Sequence, residues 1–357
     1  MRCSLTMAEK EGEFKMESKN GALLYNDKLY TLKAALDKDK MRPVLQHLAQ
    51  RFVDRRLQIH SLNVEVIRRR NQRCVIRYSL TIEPQSAKVR QLQWNVIGKV
   101  FKADRGERVF ADMKLLWENG FSHQNHDGIS MPRPLEFLPQ LCLLIQEEVP
   151  GRSLKNYIKE KPHVEHFRLL ARTLAKLHCT QIKPVRPFTV KEHLLRCHPR
   201  HPFLALACPD LSEQIDHIIE VAYAVEKKFG SIQFTPLHGD FHLGQIHVDN
   251  GHAWLIDFDG LSYGDPASDL GNILVFLKAK AKKIQEMSTY IDIFLQTYFE
   301  KMDPAIAERI PLYEGLTHLR RACKCLRFQE KGWQKKVHKM IAQGVKSIDE
   351  LAEKVLH

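Results

Sequence analysis

The chain has 357 residues, 44% apolar and 27% charged, with a formal net charge of +13. That length accommodates one large domain or two moderate ones, and the balance is that of a soluble globular protein rather than a fibrous or disordered one. No apolar run approaches the roughly 18 residues a membrane span needs. Charges also interrupt the N-terminal segment MRCSLTMAEKEGEFKMESKNG where a secretory signal would be continuously apolar, so a cytoplasmic location is the expectation.

Residues 1–20 are polar and read as an unstructured tail. In MRPVLQHLAQRFV, residues 41–53, Val44, Leu45, Leu48, Phe52 and Val53 recur at helical spacing. Two strand-like runs follow, Val64 and Val66, then Cys74, Val75, Ile76, Tyr78, Leu80 and Ile82, separated by RRRNQR; this predicts a hairpin. A third strand covers 93–101, and a helix covers 105–119 with Gly120 as its stop. LEFLPQLCLLIQEEV adds two more strand-like runs, and Pro150-Gly151 marks a break. Beyond it the pattern is helical, at 166–179, 211–229 and from about 267 onward. The exception is 237–260, which reads as a loop and then a hairpin whose strands, IHV and HAWLID, flank the turn signal Asn250-Gly251.

The eight cysteines are scattered, and the one close pair, Cys323 and Cys325, lacks a zinc-site spacing. A disulfide framework is not expected. Cys74 and Cys142 sit in apolar strand-like runs and read as core packing. The basic balance admits nucleic acid, a membrane surface or an anionic ligand. With no zinc finger, RNA-recognition motif or basic-leucine array, nucleic acid is not an expected partner, nor is a membrane.

The chemistry concentrates in HGDFHLGQ, residues 238–245, and IDFDG, residues 256–260. Folding of the hairpin returns Asp257 to the neighbourhood of Gln245, so a carboxylate and an amide oxygen converge near a second carboxylate, Asp240. Phosphoryl transfer from ATP uses such a set: hard oxygen ligands for Mg²⁺, and a separate carboxylate for the proton of the attacking hydroxyl. A lone Asp beside Gly is usually a turn residue; Asp240, Gln245 and Asp257 together, across a hairpin, are much harder to obtain by chance.

These segments resemble the aminoglycoside phosphotransferase and choline kinase-like family, from about residue 68 to 333 and most specifically over 237–271. HLGQ is similar to the variant found in maltokinase-like members; the family more often has Asn at the position of Gln245. The resemblance implies an α+β, bilobal, protein kinase-like fold. A small mixed-sheet N-terminal lobe would span 21–147 and a larger, mainly helical catalytic and acceptor-binding lobe 148–357, with the site in the cleft between them. It implies Asp240 as catalytic base, Asp257 and Gln245 as Mg²⁺ ligands and Lys99 in VIGKVF as the lysine on the ATP phosphates. Glu147 and Glu148 would lie at the hinge beside adenine, while His238, Asp265 and Asp269 would brace the catalytic loop. Asp259 stays open between a second metal ligand and an exposed carboxylate. Of the two acidic residues on the helix after Lys99, Glu107 is preferred to Asp112 as its partner. One departure is the turn near Arg70–Arg73, which has no glycine-rich sequence to cover phosphates.

The expected activity is therefore Mg²⁺- and ATP-dependent transfer of the γ-phosphoryl group to a hydroxyl of a small molecule: a sugar, amino alcohol, antibiotic or related metabolite. Only four residues separate Gly260 from Asp265, too few for a peptide-docking platform. The Lys- and Arg-rich C-terminal helices favour a neutral or anionic acceptor over a polycation. In HLRRACKCLRFQEKGW, residues 318–333, most charges read as a solvated face over Leu319, Ala322 and Leu326. The sharper alternative sets Arg320, Arg321 or Arg327 beside the substrate. For the whole chain, the alternative is a catalytically silent nucleotide-binding scaffold of the same fold.

Overall fold

The computed structural model describes residues 29–70, 72–84, 91–102, 105–184, 186–230, 232–281 and 284–355. The expected tail, 1–20, lies outside them. The chain divides into two compact units, Met1–Arg108 with Leu135–Glu147, and Val109–Pro134 with Glu148–His357.

In the first unit, α1 (Leu32–Leu36) and α2 (Lys38–Phe52) precede the long hairpin β1 (Leu57–Arg70) and β2 (Arg73–Pro84), followed by β3 (Leu92–Phe101). Strand β4 (Ile129–Ser130) belongs to the second unit, and β5 (Pro134–Leu138) and β6 (Leu143–Glu147) return to the first sheet, whose order is β1-β2-β3-β6-β5. The ladders β1–β2, β2–β3 and β3–β6 are antiparallel. Period-two alternation drives β2: Cys74, Ile76, Tyr78, Leu80 and Ile82 are fully buried, in one core with Met41, Leu45, Leu48 and Ala49 of α2. Helix α2 starts three residues before its apolar pattern because the Asp37 carboxylate caps it, accepting from the backbone N–H groups of Asp39 and Lys40 at 3.0 and 3.2 Å. The buried Tyr78 ring donates its hydroxyl to Ala35 O at 2.6 Å, tying α1 to the sheet.

Helix α3 (Arg105–Leu116) stops short of its expected end: Trp117–Phe121 forms a wide turn in which Gly120 takes φ +109°. Cys142 is a correction. The 3₁₀ turn Pro139–Leu141 breaks the apolar run, and Cys142 sits half-exposed after it at φ 47°, outside any strand.

The second unit holds α4 (Leu154–Glu160), α5 (Val164–Cys179), α6 (Val190–Leu195), α7 (His201–Ala207), α8 (Ser212–Phe229), α9 (Ala267–Ala281), α10 (Met287–Phe299), α11 (Ile310–Phe328) and α12 (Trp333–Val355). Two small sheets are set among them. One has the order β4-β11-β10-β7, with β7 (Arg152–Ser153), β10 (Ile246–Asp249) and β11 (His252–Leu255). The other has the order β8-β12-β9, with β8 (Pro187–Phe188), β9 (Thr235–Leu237) and β12 (Ser262–Gly264). The expected hairpin is β10–β11, with Asn250 and Gly251 at φ 46° and 80° in the turn. Strand β12 pairs antiparallel with β9, Ser262 opposite Leu237. That pairing closes 238–261 into one excursion with both ends fixed. Helix α9 is buried continuously from Ala267 to Val275, Asp269 and Asn272 included, so its polar side chains must find partners inside the protein. Among the described residues no helix is long and apolar enough to cross a membrane.

Candidate active site

Asp240 is exposed, whereas its neighbours Gly239 and Phe241 are buried. The backbone on either side is held by side chains from two helical regions, α9 and the end of α6. Asp269 accepts the N–H groups of His238 and Gly239, one per carboxylate oxygen, at 2.7 and 2.9 Å. Asn272 Nδ2 donates to Phe241 O at 2.8 Å. Arg196, which follows α6, donates to Gly239 O at 2.6 Å and to Gly260 O at 3.2 Å. His238 reaches across the excursion, its Nε2 donating to Ile256 O at 2.9 Å. Gly239 sits at φ +77°, and a Cβ there would lie 2.5 Å from Gly260 O. The close approach of these two backbone segments therefore requires glycine.

Asp269 is itself braced. His178 Nε2 lies 3.3 Å from its Oδ2, and the Tyr298 hydroxyl lies 2.6 Å from His178 Nδ1. The tautomer protonated on Nε2 donates to the carboxylate and accepts from the tyrosine. Burial alone would raise the Asp269 pKa; the hydrogen bond from His178 and the favourable electrostatics of His178 and His238 outweigh it and hold the carboxyl below its ordinary value. Asp269 is thus a buried carboxylate with all its partners in place, and the rigidity passes to the residue before Asp240.

The hairpin brings together the two other motif residues. Ile246 pairs with Leu255, and Ile256 N–H donates to Gln245 O at 2.9 Å, so Gln245 faces the start of IDFDG. Its Nε2 lies 3.5 Å from Asp257 Oδ2. Asp257 adopts φ 68°, ψ 56°, a left-handed conformation that aspartate tolerates better than most residues and that clusters at functional sites. Turning the Gln245 amide over sets Oε1 beside the same carboxylate, which gives one cation two hard oxygens. Among the described residues no group of three His, Cys, Asp or Glu side chains is arranged to hold a metal. One carboxylate with one amide suits instead a small divalent ion that keeps waters and completes its shell on phosphates, as Mg²⁺ does.

The remaining expected residues are spread more widely. Asp259 follows in the 3₁₀ turn Phe258–Gly260, half-buried. Asp265 does not touch the loop backbone. It takes a two-point contact from Arg309, Nε to Oδ2 at 2.7 Å and Nη2 to Oδ1 at 3.1 Å, and its Oδ1 accepts the N–H of Ala267 at the start of α9. These contacts fix the start of the helix that carries Asp269. In the first unit Lys99 is buried on β3, between Val75 of β2 and Leu144 of β6. Glu107 is exposed on α3, whose inward face is set by the buried Val109, Met113 and Leu116. Asp112, on the same helix, is half-buried. Glu147 ends β6 opposite Val96, and Glu148 begins the next segment of the second unit. Reasoning from sequence missed Arg196, Asn272, Tyr298 and Arg309, whose partners lie 31 to 120 residues away and which no local pattern marks.

The family model for APH, the phosphotransferase enzyme family, matches residues 101–305, more than half of the chain. No curated protein matches by sequence. Among solved structures, amicoumacin kinase hAmiN in complex with AMP-PNP, Ca²⁺ and Ami aligns with TM-score 0.57 at 16% identity, over 89% of this chain and 96% of that one. Choline kinase LicA from Streptococcus pneumoniae aligns with TM-score 0.53 at 16% identity, over 87% and 99%. Aminoglycoside phosphotransferase APH(4)-Ia aligns with TM-score 0.55 at 13% identity, over 86% and 97%. At such identities these likenesses concern the fold, which is α+β and kinase-like, and the motif segments 238–245 and 256–260 fall inside the matched range. The chain belongs to the phosphotransferase enzyme family.

Proposed function

We propose that this protein moves the γ-phosphoryl group of Mg-ATP to a hydroxyl of a small molecule, with Asp240 as the base. The observation that carries the reading is an exposed carboxylate on a backbone fixed by Asp269, Asn272 and Arg196, next to a hairpin that draws Gln245 and Asp257 together. Preorganisation of this kind is what an in-line phosphoryl transfer asks of a protein. Asp240 takes the proton of the acceptor hydroxyl as its oxygen bonds to the γ-phosphorus, the bond to the β–γ bridging oxygen breaks, and ADP leaves. Asp257 and the Gln245 amide would hold Mg²⁺, which neutralises phosphate charge when bound. Lys99 serves the ATP phosphates in the same reading, and the cytoplasm, where ATP is plentiful, is its setting.

A small acceptor is supported by the fate of the four residues between Gly260 and Asp265. Three of them form β12 and are committed to the ladder with β9. The experiment is ATP turnover against a panel of sugars, amino alcohols and antibiotics, for wild type and Asp240→Ala. The variant should bind Mg-ATP normally and turn over about 10²-fold more slowly or worse. Equal turnover by the two proteins removes Asp240 as the base. Nucleotide binding without transfer to any acceptor favours a scaffold.

A further inference from the structure

Three arginines from separate elements of the second unit converge on the loop that carries Asp240. Arg186, before β8, donates to Leu261 O at 2.9 Å. Arg196 holds Gly239 O and Gly260 O, its guanidinium carbon 4.0 Å from the centroid of the Phe188 ring. Arg320, on α11, donates to Asn272 Oδ1 at 2.6 Å and lies 4.0 Å from Asp240 Oδ1. The charges are near enough to act on one another. Burial first, then Arg186 and Arg320, push the Arg196 guanidinium down to about 9, against the pull of Asp269 and Asp240.

Asp240 and Asp269 apart, the acids Glu192 of α6 and Glu314 of α11 are engaged elsewhere. Glu192 closes a capping box with Thr189, and Glu314 pairs with Lys278. From Leu316 to its end, α11 carries Arg320, Arg321, Lys324 and Arg327 and no acidic residue. Arg186 and Arg196 give N–H groups to backbone carbonyls. Arg320 differs: Asn272 orients it, its side chain keeps 18% exposure, and 4.0 Å is too long for a hydrogen bond to Asp240. The base and the cation therefore stand side by side as a loose ion pair, with no hydrogen bond between them. Arg320 also lies beyond the segment that the family model matches.

We infer that the acceptor carries an anionic oxygen group, a carboxylate or a phosphate, close to the hydroxyl that Asp240 serves, and that Arg320 receives it. The inference rests on Asp240 being the base of the transfer proposed above. An acceptor with a hydroxyl and an anionic group on neighbouring carbons spans Asp240 and Arg320, and gains charge-assisted bonds from a planar guanidinium fork. An ammonium in the same place meets Arg320 with Arg196 close behind it.

The test uses four compounds on one skeleton, glycerol, D-glycerate, glycerol 3-phosphate and 2-amino-1,3-propanediol, titrated calorimetrically into the full chain saturated with Mg-ADP. One of the anions should bind at least about tenfold tighter than glycerol, with the amine weakest. The leading anion distinguishes carboxylate from phosphate. Arg320→Gln should lose that advantage and Arg320→Lys retain part of it. The inference is overturned if glycerol or the amine equals or exceeds both anions, undetectable binding of all four included. It is also overturned if an Arg320→Gln protein that melts like wild type keeps the anion preference; should that variant not fold, the wild-type ranking decides. Failure of the underlying reading looks different: Mg-ADP itself would not bind, or Asp240→Asn would transfer phosphate as fast as wild type.

Discussion

Asp269 accepts the backbone N–H of Gly239 at 2.9 Å, which fixes the residue immediately before the exposed Asp240 to a carboxylate inside the buried helix α9. The same carboxylate takes the N–H of His238 and is backed by His178 and then Tyr298. A chain of hydrogen bonds therefore runs from α10 through α5 and α9 to the loop. Such a chain specifies one position for Asp240 so long as every member is satisfied.

Asp269→Asn tests that chain. The amide keeps the size of the carboxylate but presents one acceptor and one donor where two acceptors are needed, so an N–H of the loop faces another N–H. We expect a loss of about 2–4 kcal/mol in urea unfolding, because buried donors are left unpaired. We also expect kcat to fall while nucleotide affinity holds. Wild-type stability and kcat in this variant would show that Asp269 fills space and no more.

Acid should weaken the same link. The folded-state pKa of Asp269 lies below the ordinary 3.8: burial opposes this, and His178 and His238 overcome it. As pH falls, the unfolded chain takes up the proton first. The stabilisation is then fully present above the unfolded value and is lost as pH drops through the folded one. Between pH 6 and pH 3 the urea midpoint of wild type should fall more steeply than that of Asp269→Asn. Parallel curves would assign the acid sensitivity to other carboxylates.

Gly239→Ala tests the close approach of the two loop segments. At φ +77° the new Cβ would stand 2.5 Å from Gly260 O and 2.7 Å from Arg196 Nη1, so backbone has to move. The strain should cost about 1–3 kcal/mol. Displacement of Asp240 should lower kcat at least about tenfold, with Mg-ATP affinity close to normal. An alanine variant with full activity would mean that the loop is softer than its hydrogen bonds indicate.

The parts legible from sequence are those governed by short-range rules. Asn250-Gly251 between two short apolar runs marked the hairpin, and the hairpin placed Asp257 beside Gln245. Alternation gave β2. The β9–β12 pairing was not legible, since strands of three residues have no period to read. Nor were the contacts of Arg196 with the loop carbonyls; for Arg320 the sequence left a solvated face and a place beside the substrate both open. A basic run on α11 looks like a solvated face until α9 brings Asn272 against it. The exposure of Glu107 was likewise not legible: it follows from the packing of Val109 and Met113 on the opposite side of α3. Cys142 failed because Pro139 starts a 3₁₀ turn inside an apolar run.

The pairing of Gln245 with Asp257 makes the last prediction, in which each oxygen is removed separately. Asp257→Asn preserves shape and removes the charge, so the Kd for Mg-ATP should rise at least about tenfold. Gln245→Leu preserves bulk and removes the amide oxygen. It should raise the Mg²⁺ concentration needed for half-maximal turnover by a smaller factor, about threefold to tenfold, because a neutral ligand contributes less than a charged one. A Mg²⁺ titration at fixed ATP measures both. If Gln245→Leu matches wild type while Asp257→Asn does not, the 3.5 Å contact between them is structural and the carboxylate alone meets the cation. If neither variant moves the titration, the hairpin is not the metal site.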